Sequence, residues 1–232
     1  MSVSSLSHST QGNSPSAISL HAKPSVNFAE KVAETLALLK QAVAEFSPVT
    51  QASSLGAEDV VITHLINDNA LNIPVFVLET GALHRETLAL LERTQAHSVA
   101  PVKVYRPSTE KVIAFVKNYG QDAMYKSIEL RKACCGIRKM EPLARALKGQ
   151  RAWITGLRQE QSTARADVPL QDDSEVATKN LSKFNPLAKW TWGDVWHYIA
   201  TNNVDYNPLH DQFFPSVGCA PCTRAISLGE EF

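Results

Sequence analysis

The chain has 232 residues, with 23 Lys plus Arg against 23 Asp plus Glu, so its formal net charge is zero. That length suits one α/β domain with a sizeable core, and the charge balance argues against a nucleic-acid binder built on bulk positive charge. No apolar run reaches the length of a membrane span, and four cysteines in so long a chain do not make a disulfide scaffold.

Residues 1–26 hold nine serines, two prolines and no acidic residue. This composition predicts a disordered tail, followed by a single domain over 27–232. The stretch lacks the arginines of a transit peptide and the apolar core of a signal peptide, so a cytoplasmic location is expected. From 27 to 46 apolar residues recur at helical spacing, and Pro48 ends that helix. A strand over 49–55 runs into Gly56, and a helix over 58–67 follows. The near-continuous apolar run 73–78 suits a strand covered on both faces of a parallel sheet. Helix 85–95, strand 102–106, helix 109–119, a helix over 134–148 and strand 152–157 continue the alternation. The expected fold class is therefore α/β, a doubly wound and mainly parallel sheet with helices on both faces.

Ligands of such sheets sit beyond the carboxyl ends of the strands, so the loops there are the place to look. Ser53, Ser54 and Gly56 open a helix, where bare backbone N–H groups would favour an anion. An ordinary strand–helix turn would look the same. Glu79, Thr80 and Gly81 follow the most buried strand and could hold a nucleoside, although Thr80 could equally be a helix cap. Arg158 lies just past a strand end, with Gln161, Ser162 and Arg165 beyond it. Arginines there are good oxyanion ligands, or surface ion-pair partners. Residues 167–183 read as polar and irregular. Trp192 and Trp196 share a face of a short helix over 194–201, a spacing more typical of core than of a ligand platform. His210, a single loop histidine, is not expected to be catalytic.

All four cysteines fall into two tight pairs, Cys134-Cys135 and Cys219-x-x-Cys222. Two such pairs suggest one four-thiolate site, for zinc or for an iron–sulfur cluster. Zinc prefers paired ligands two to four residues apart, which Cys219 and Cys222 satisfy and Cys134 and Cys135 do not. A cubane is larger, and neighbouring residues can reach its separate irons. Arg131, Lys132, Arg138 and Lys139 surround the first pair, which fits the negative charge of a thiolate-bound cluster, although a solvated basic helix end would look the same. Helical spacing places Lys139 on the face of Cys135.

These pieces resemble the assimilatory adenylyl-sulfate reductases, of the phosphoadenylyl- and adenylyl-sulfate reductase family within the PP-loop, adenine nucleotide alpha-hydrolase-like group. The likeness rests on Cys134-Cys135 with Arg138-Lys139, Cys219-Ala220-Pro221-Cys222, Ser-x-Gly-x-Glu-Asp at 54–59, Glu79-Thr80-Gly81, the Arg158 loop, and the Asn-Pro-Leu segments at 185–187 and 207–209. The resemblance implies a [4Fe-4S] cluster on the four cysteines and an adenylyl sulfate site including Lys139, Arg158 and Arg165. It also implies a homo-oligomer and thioredoxin as reductant in assimilatory sulfate reduction and cysteine biosynthesis, with no nucleic acid or membrane partner. The family's nucleophile is a cysteine in a C-terminal Glu-Cys-Gly-[Leu/Ile]-His segment. No fifth cysteine stands in this sequence, so that residue is expected in a tail beyond Phe232. Competing readings are a phosphoadenylyl-sulfate reductase, a PP-loop ATP pyrophosphatase, and a non-enzymatic dithiol module. The loop at 54–59 lacks the pyrophosphatase's second glycine, and the dithiol would normally stand early in its fold.

Overall fold

The computed structural model describes residues 15–161, 165–227 and 230. Six strands, β1 (Val49–Ser53), β2 (Val75–Leu78), β3 (Val102–Tyr105), β4 (Ala152–Ile154), β5 (Gln171–Asp172) and β6 (Ser182–Phe184), form one sheet in the order β3-β2-β1-β4-β6-β5. Only β5, at the edge, pairs antiparallel. The α/β class with a mainly parallel sheet is as the sequence implies. Val49 and Val75, Phe76 and Val77 are buried, because these central strands are covered on both faces. The chain leaves β1 towards β2 on one side and later returns to β4 on the other. That makes the carboxyl end of β1 the topological switch point, where open α/β sheets hold ligands.

The helices are α1 (Ala17–His21), α2 (Phe28–Phe46), α3 (Ala57–Asp68), α4 (Arg85–His97), α5 (Thr109–Tyr119), α6 (Ala123–Lys126), α7 (Ile128–Cys135), α8 (Glu141–Leu147), α9 (Val176–Lys179) and α10 (Trp192–Thr201). None of them is long and apolar enough to cross a membrane. The main core joins α2, α3, α4 and α10 to the sheet, with Leu39, Ile62, Ile66, Leu90 and Trp196 all but fully buried. A small satellite core of Phe115, Ala123 and Cys134 holds α5, α6 and α7 together.

Four departures from the sequence reading have physical causes. The expected tail of 1–26 is not disordered throughout: Ala17–His21 is a helix with Ser16 as its cap, and Ala17 is 1 % exposed. Its partners lie nearly the whole chain away, so composition could not show them. The stretch 167–183 is not simply irregular. It contains β5, α9 and most of β6, whose Ser182 and Phe184 face the interior while Lys183 does not. The first strand stops at Ser53, because Leu55 adopts a left-handed conformation with φ 62°, uncommon for a bulky side chain. Finally, the cysteine helix starts at Ile128, capped by Ser127, and passes through one π-helical turn, Gly136–Met140, into α8. Such turns re-phase the side chains that follow and often mark functional sites.

Candidate active site

A cavity of about 680 Å³ opens at the switch point. Ser53, Ser54 and Gly56 come to it from the end of β1, Thr80 from the loop after β2, and Arg158 and Arg165 from beyond β4. Lys139 enters from the π-turn and Cys219 from the far end of the chain. Phe76, Leu143 and Trp153 give it apolar walls. Few convergent polar groups on an apolar lining is the usual make-up of a small-molecule site. Glu79 and Gly81 are not part of the lining. Glu79 instead accepts the Gly81 N–H at 2.7 Å and pairs with Arg106 at 3.0 Å, which shapes the turn from behind. Gly81 supplies the positive φ of that turn, 69°. Ser162 lies outside the described residues.

The loop at the start of α3 is not the bare amide cradle that its small residues suggest. The Ser54 N–H donates to Asp59 Oδ2 at 2.6 Å, Leu55 N–H to Ser53 Oγ at 3.1 Å, and Gly56 N–H to Ser54 Oγ at 3.3 Å. Ala57 N–H donates to His210 Nε2 at 3.2 Å. Each of these four donors is therefore engaged within the protein. His210 Nδ1 lies 2.8 Å from the Phe214 carbonyl. A carbonyl can only accept, so Nδ1 carries the proton and Nε2 is the free acceptor. Burial pulls the His210 pKa down, opposed by its bond to Phe214 and by Glu58 and Asp211, which keeps the ring neutral. His210 is thus a cavity-wall residue that organises the loop, a role a lone histidine in the sequence does not announce. Burial likewise pushes the Asp59 carboxyl up to about 6, against the hydrogen bonds it receives from Ser54 and with help from Glu58. Gly156 passes so close that a Cβ there would stand 2.5 Å from Asp59 Oδ1 and 2.8 Å from Glu58 Cβ. Only glycine fits.

Arg158 is 4 % exposed and fully bound on one side. Its Nε donates to Glu58 at 2.9 Å, its Nη1 to Glu160 at 2.8 Å and to the Trp190 carbonyl at 3.3 Å. The guanidinium lies over the Trp192 ring, 5.1 Å from its centroid. Gln161 also donates to Glu58, at 2.9 Å, and Arg165 donates to Gln161. Two carboxylates therefore offset the Arg158 charge, whereas Lys139 has no hydrogen-bond or ion-pair partner among the described residues. Of the pair expected in the core, Trp196 is buried there, whereas Trp192 is cavity wall; Trp190 is buried as well.

The two cysteine pairs converge on the other side of the cavity. Residues 219–222 form a 3-10 turn in which the Cys222 N–H donates to Cys219 O at 2.9 Å. A β-bridge from Leu83 to Cys219 ties that turn to the loop after β2. Thr80 Oγ1 lies 3.2 Å from Cys219 Sγ, and Arg138 donates to the Thr80 carbonyl at 2.6 Å. Burial raises the Cys134 pKa. Arg138 opposes that rise through its charge and a hydrogen bond, and nearby Cys135 and Cys219 add to it. Arg138 is thus a cation at the thiols, and Lys139, from the π-turn, lines the cavity together with Cys219. The adjacent Cys134-Cys135 and the basic pair after them were the sequence signal for this cluster. Thr80 does not cap α4; His84 holds the cap position. No cysteine is in a disulfide. Among the described residues no three His, Cys, Asp or Glu side chains are placed to hold a metal ion.

Comparison with known proteins agrees with this geometry. The profile of the phosphoadenosine phosphosulfate reductase domain matches residues 48–225. A protein of Allochromatium vinosum named adenosine 5'-phosphosulfate reductase is 47% identical over 199 residues, 86% of this chain and 77% of that one. One of the same name from Neisseria meningitidis serogroup B is 46% identical over 204 residues, 88% of this chain and 82% of that one. The crystal structure of phosphoadenylyl-sulfate reductase from Candida auris, a phosphate complex, matches with a TM-score of 0.70 and 27% identity, covering 82% of this chain and 90% of the other. On the extent of these matches, the chain belongs to the phosphoadenosine phosphosulfate reductase domain family.

Proposed function

We propose that this chain binds adenylyl sulfate in the switch-point cavity and serves its reduction to sulfite and AMP. The observation that carries the reading is that one cavity is lined by Lys139, unpaired among the described residues, by Arg165 and by Cys219 of the thiol cluster. The names of the similar proteins support it. The apolar walls suit the adenosine, and Lys139 and Arg165 suit the phosphosulfate. Arg158 offers its Nη2, which has no partner among the described residues. Positive groups are needed there because charge builds on the departing phosphate oxygen. A thiolate from C-terminal of Phe232 would attack the sulfur. The sulfur–oxygen bond to AMP breaks, AMP leaves with the electron pair, and an S-sulfocysteine forms. A thioredoxin dithiol then releases sulfite and becomes a disulfide.

The donor set fits a [4Fe-4S] cluster better than a single ion. The four thiols come as two pairs from separate segments, and the adjacent Cys134 and Cys135 suit the separate irons of a cubane better than one small ion. Cys134, Cys135, Cys219 and Cys222 would hold the cluster, and Arg138 and Thr80 would donate hydrogen bonds to its sulfurs. When bound, it would place a charged body beside the substrate. Anaerobically purified protein should carry about four iron and about four sulfide per chain. Zinc, or no metal with titratable thiols, would reject the cluster.

The substrate assignment has its own test. Lys139→Ala should raise the Kd for adenylyl sulfate about tenfold, or ~1.4 kcal/mol, and leave adenosine binding unchanged. Equal effects on both ligands would reject a role at the phosphosulfate. Tighter binding of phosphoadenylyl sulfate by the wild type would transfer the assignment to that substrate. The engaged amides of residues 54–57 count against a pyrophosphate cradle, so ATP should release no pyrophosphate.

A further inference from the structure

The segment from Ser16 to Ser25 touches the wall of the cavity at two places. At the first, the Ala17 N–H donates to Asp211 Oδ1 at 2.7 Å, and the Tyr206 hydroxyl donates to the same carboxylate at 3.0 Å. Asp211 belongs to the 3-10 turn Pro208–Gln212, which carries His210. At the second, Ser25 donates to Asp194 Oδ1 through its N–H at 2.7 Å and its hydroxyl at 2.8 Å. Between them the strap crosses Gly193 so closely that a Cβ there would overlap the Lys23 carbonyl oxygen. The His21 ring also packs on Trp192, with centroids 5.9 Å apart.

Both anchors lie one step from the site. His210 accepts the Ala57 N–H and so orders the loop at Ser53–Gly56. Trp192 covers the guanidinium of Arg158. Neither aromatic stands in the sheet: Trp192 opens α10, where Glu160 accepts its N–H, and His210 lies within the 3-10 turn, bonded to the Phe214 carbonyl. The strap adds a constraint on both from the opposite end of the sequence.

We propose that residues 16–25 are a positioning strap for the substrate cavity, acting through Asp211 on His210 and through Gly193 and Asp194 on Trp192. Neither the strap nor Asp211 need touch the substrate. The inference rests on reading this cavity as the nucleotide site, and its test has one arm that needs no ligand. In the full chain, Asp211→Ala should speed hydrogen exchange at the amides of residues 55–57 about tenfold, the equivalent of ~1.4 kcal/mol. AMP binding should weaken by a similar factor. Asp211→Asn keeps an oxygen for the Ala17 N–H and should restore most of both. Gly193→Ala, which displaces the strap from the other side, should weaken AMP binding and shift the tryptophan emission.

Wild-type exchange at residues 55–57 in Asp211→Ala would overturn the proposal, whether or not AMP binds. So would an Asn variant as impaired as the Ala variant, since the carboxylate would then matter for reasons other than the strap. Failure of the wild type to bind AMP would instead sink the nucleotide reading and leave the exchange arm to decide the strap. A lowered melting temperature with unchanged exchange and binding would mark the segment as merely structural, and would also overturn the proposal.

Discussion

The two walls of the cavity are held in different ways. The wall from Arg158 through Trp192 to His210 stands on the main core and on charge that is buried and paired. Arg158 is locked between Glu58 and Glu160, and Asp194 between Lys31, Ser25 and Thr191. The opposite wall, made by Thr80, the π-turn and Cys219, leans on a satellite core of three buried residues, one of them Cys134 itself. Its cross-links include the Arg138 bond, the β-bridge, the Thr80–Cys219 contact at 3.2 Å, the His84–Thr223 contact at 3.1 Å and the Tyr125 hydroxyl on the Pro221 carbonyl at 2.6 Å. The first wall is held by contacts within the protein, those of the strap at residues 16–25 among them. The second has four thiols where a self-sufficient wall would have apolar packing, so its rigidity depends on what those thiols bind.

The strongest way to break this contrast is to remove the charge that anchors the first wall. Asp194 is fully buried. Burial alone would raise its pKa, but the Lys31 ammonium, the Ser25 and Thr191 N–H groups and the Ser25 hydroxyl hold it well below the usual carboxylate range. Asp194→Ala would leave Lys31 with no counter-charge and the start of α10 without its capping box. The expected cost is about 3–5 kcal/mol, as for other broken buried pairs, seen as a lower denaturation midpoint. A loss below ~1 kcal/mol, the size of an exposed pair, would show that the wall does not depend on buried charge.

Arg138→Ala addresses the second wall. It removes a charged donor from the Thr80 carbonyl and from Cys134, with an expected local cost of about 1.5–3 kcal/mol. Hydrogen exchange should rise at residues 79–82 and 218–222 and stay unchanged at 190–210. Exchange that rises equally at 190–210 would mean that the walls are one cooperative unit.

The same contrast governs what the sequence could show. Strand and helix periodicity announced the parallel sheet because 73–78 is apolar almost without a break, and the cysteine pairs announced the second wall because their spacing is local. Ser53, Ser54, Gly56, Thr80, Arg158 and Arg165 could be placed at the cavity because loops after parallel strands converge there, and Lys139 because it follows the cysteine pair. The pairing of Arg158 with Glu58 spans a hundred residues, and no local pattern encodes it. Ala17 on Asp211 spans almost the whole chain, inside a stretch whose serines read as disorder. Glu79 and Gly81 looked like ligands, yet Glu79 pairs with Arg106 and Gly81 lies against Arg138. The π-turn was hidden because its sequence is ordinary helix. Only the backbone reveals it.

A pH-dependent effect sits where the first wall meets the loop at α3. Asp59 has a folded-state pKa of about 6 against an ordinary 3.8. Between those values the folded chain binds more protons than the unfolded one, so stability falls as pH rises. The carboxyl thus adds a contribution that is complete below about 4 and is lost as pH climbs through about 6. Asp59→Asn keeps an oxygen for the Ser54 N–H and hydroxyl but removes the titration. The difference between the wild-type and variant melting curves of the ligand-free protein should therefore change through pH 5–6 and level off above neutrality, with the variant at least as stable there. Subtraction cancels the histidines and the other carboxylates. A flat difference across that range would mean that Asp59 is ionised throughout, with the Ser54 and Gly156 hydrogen bonds outweighing its burial. The loop would then hold a permanent negative charge facing the substrate, and Lys139 and Arg165 would have to overcome it.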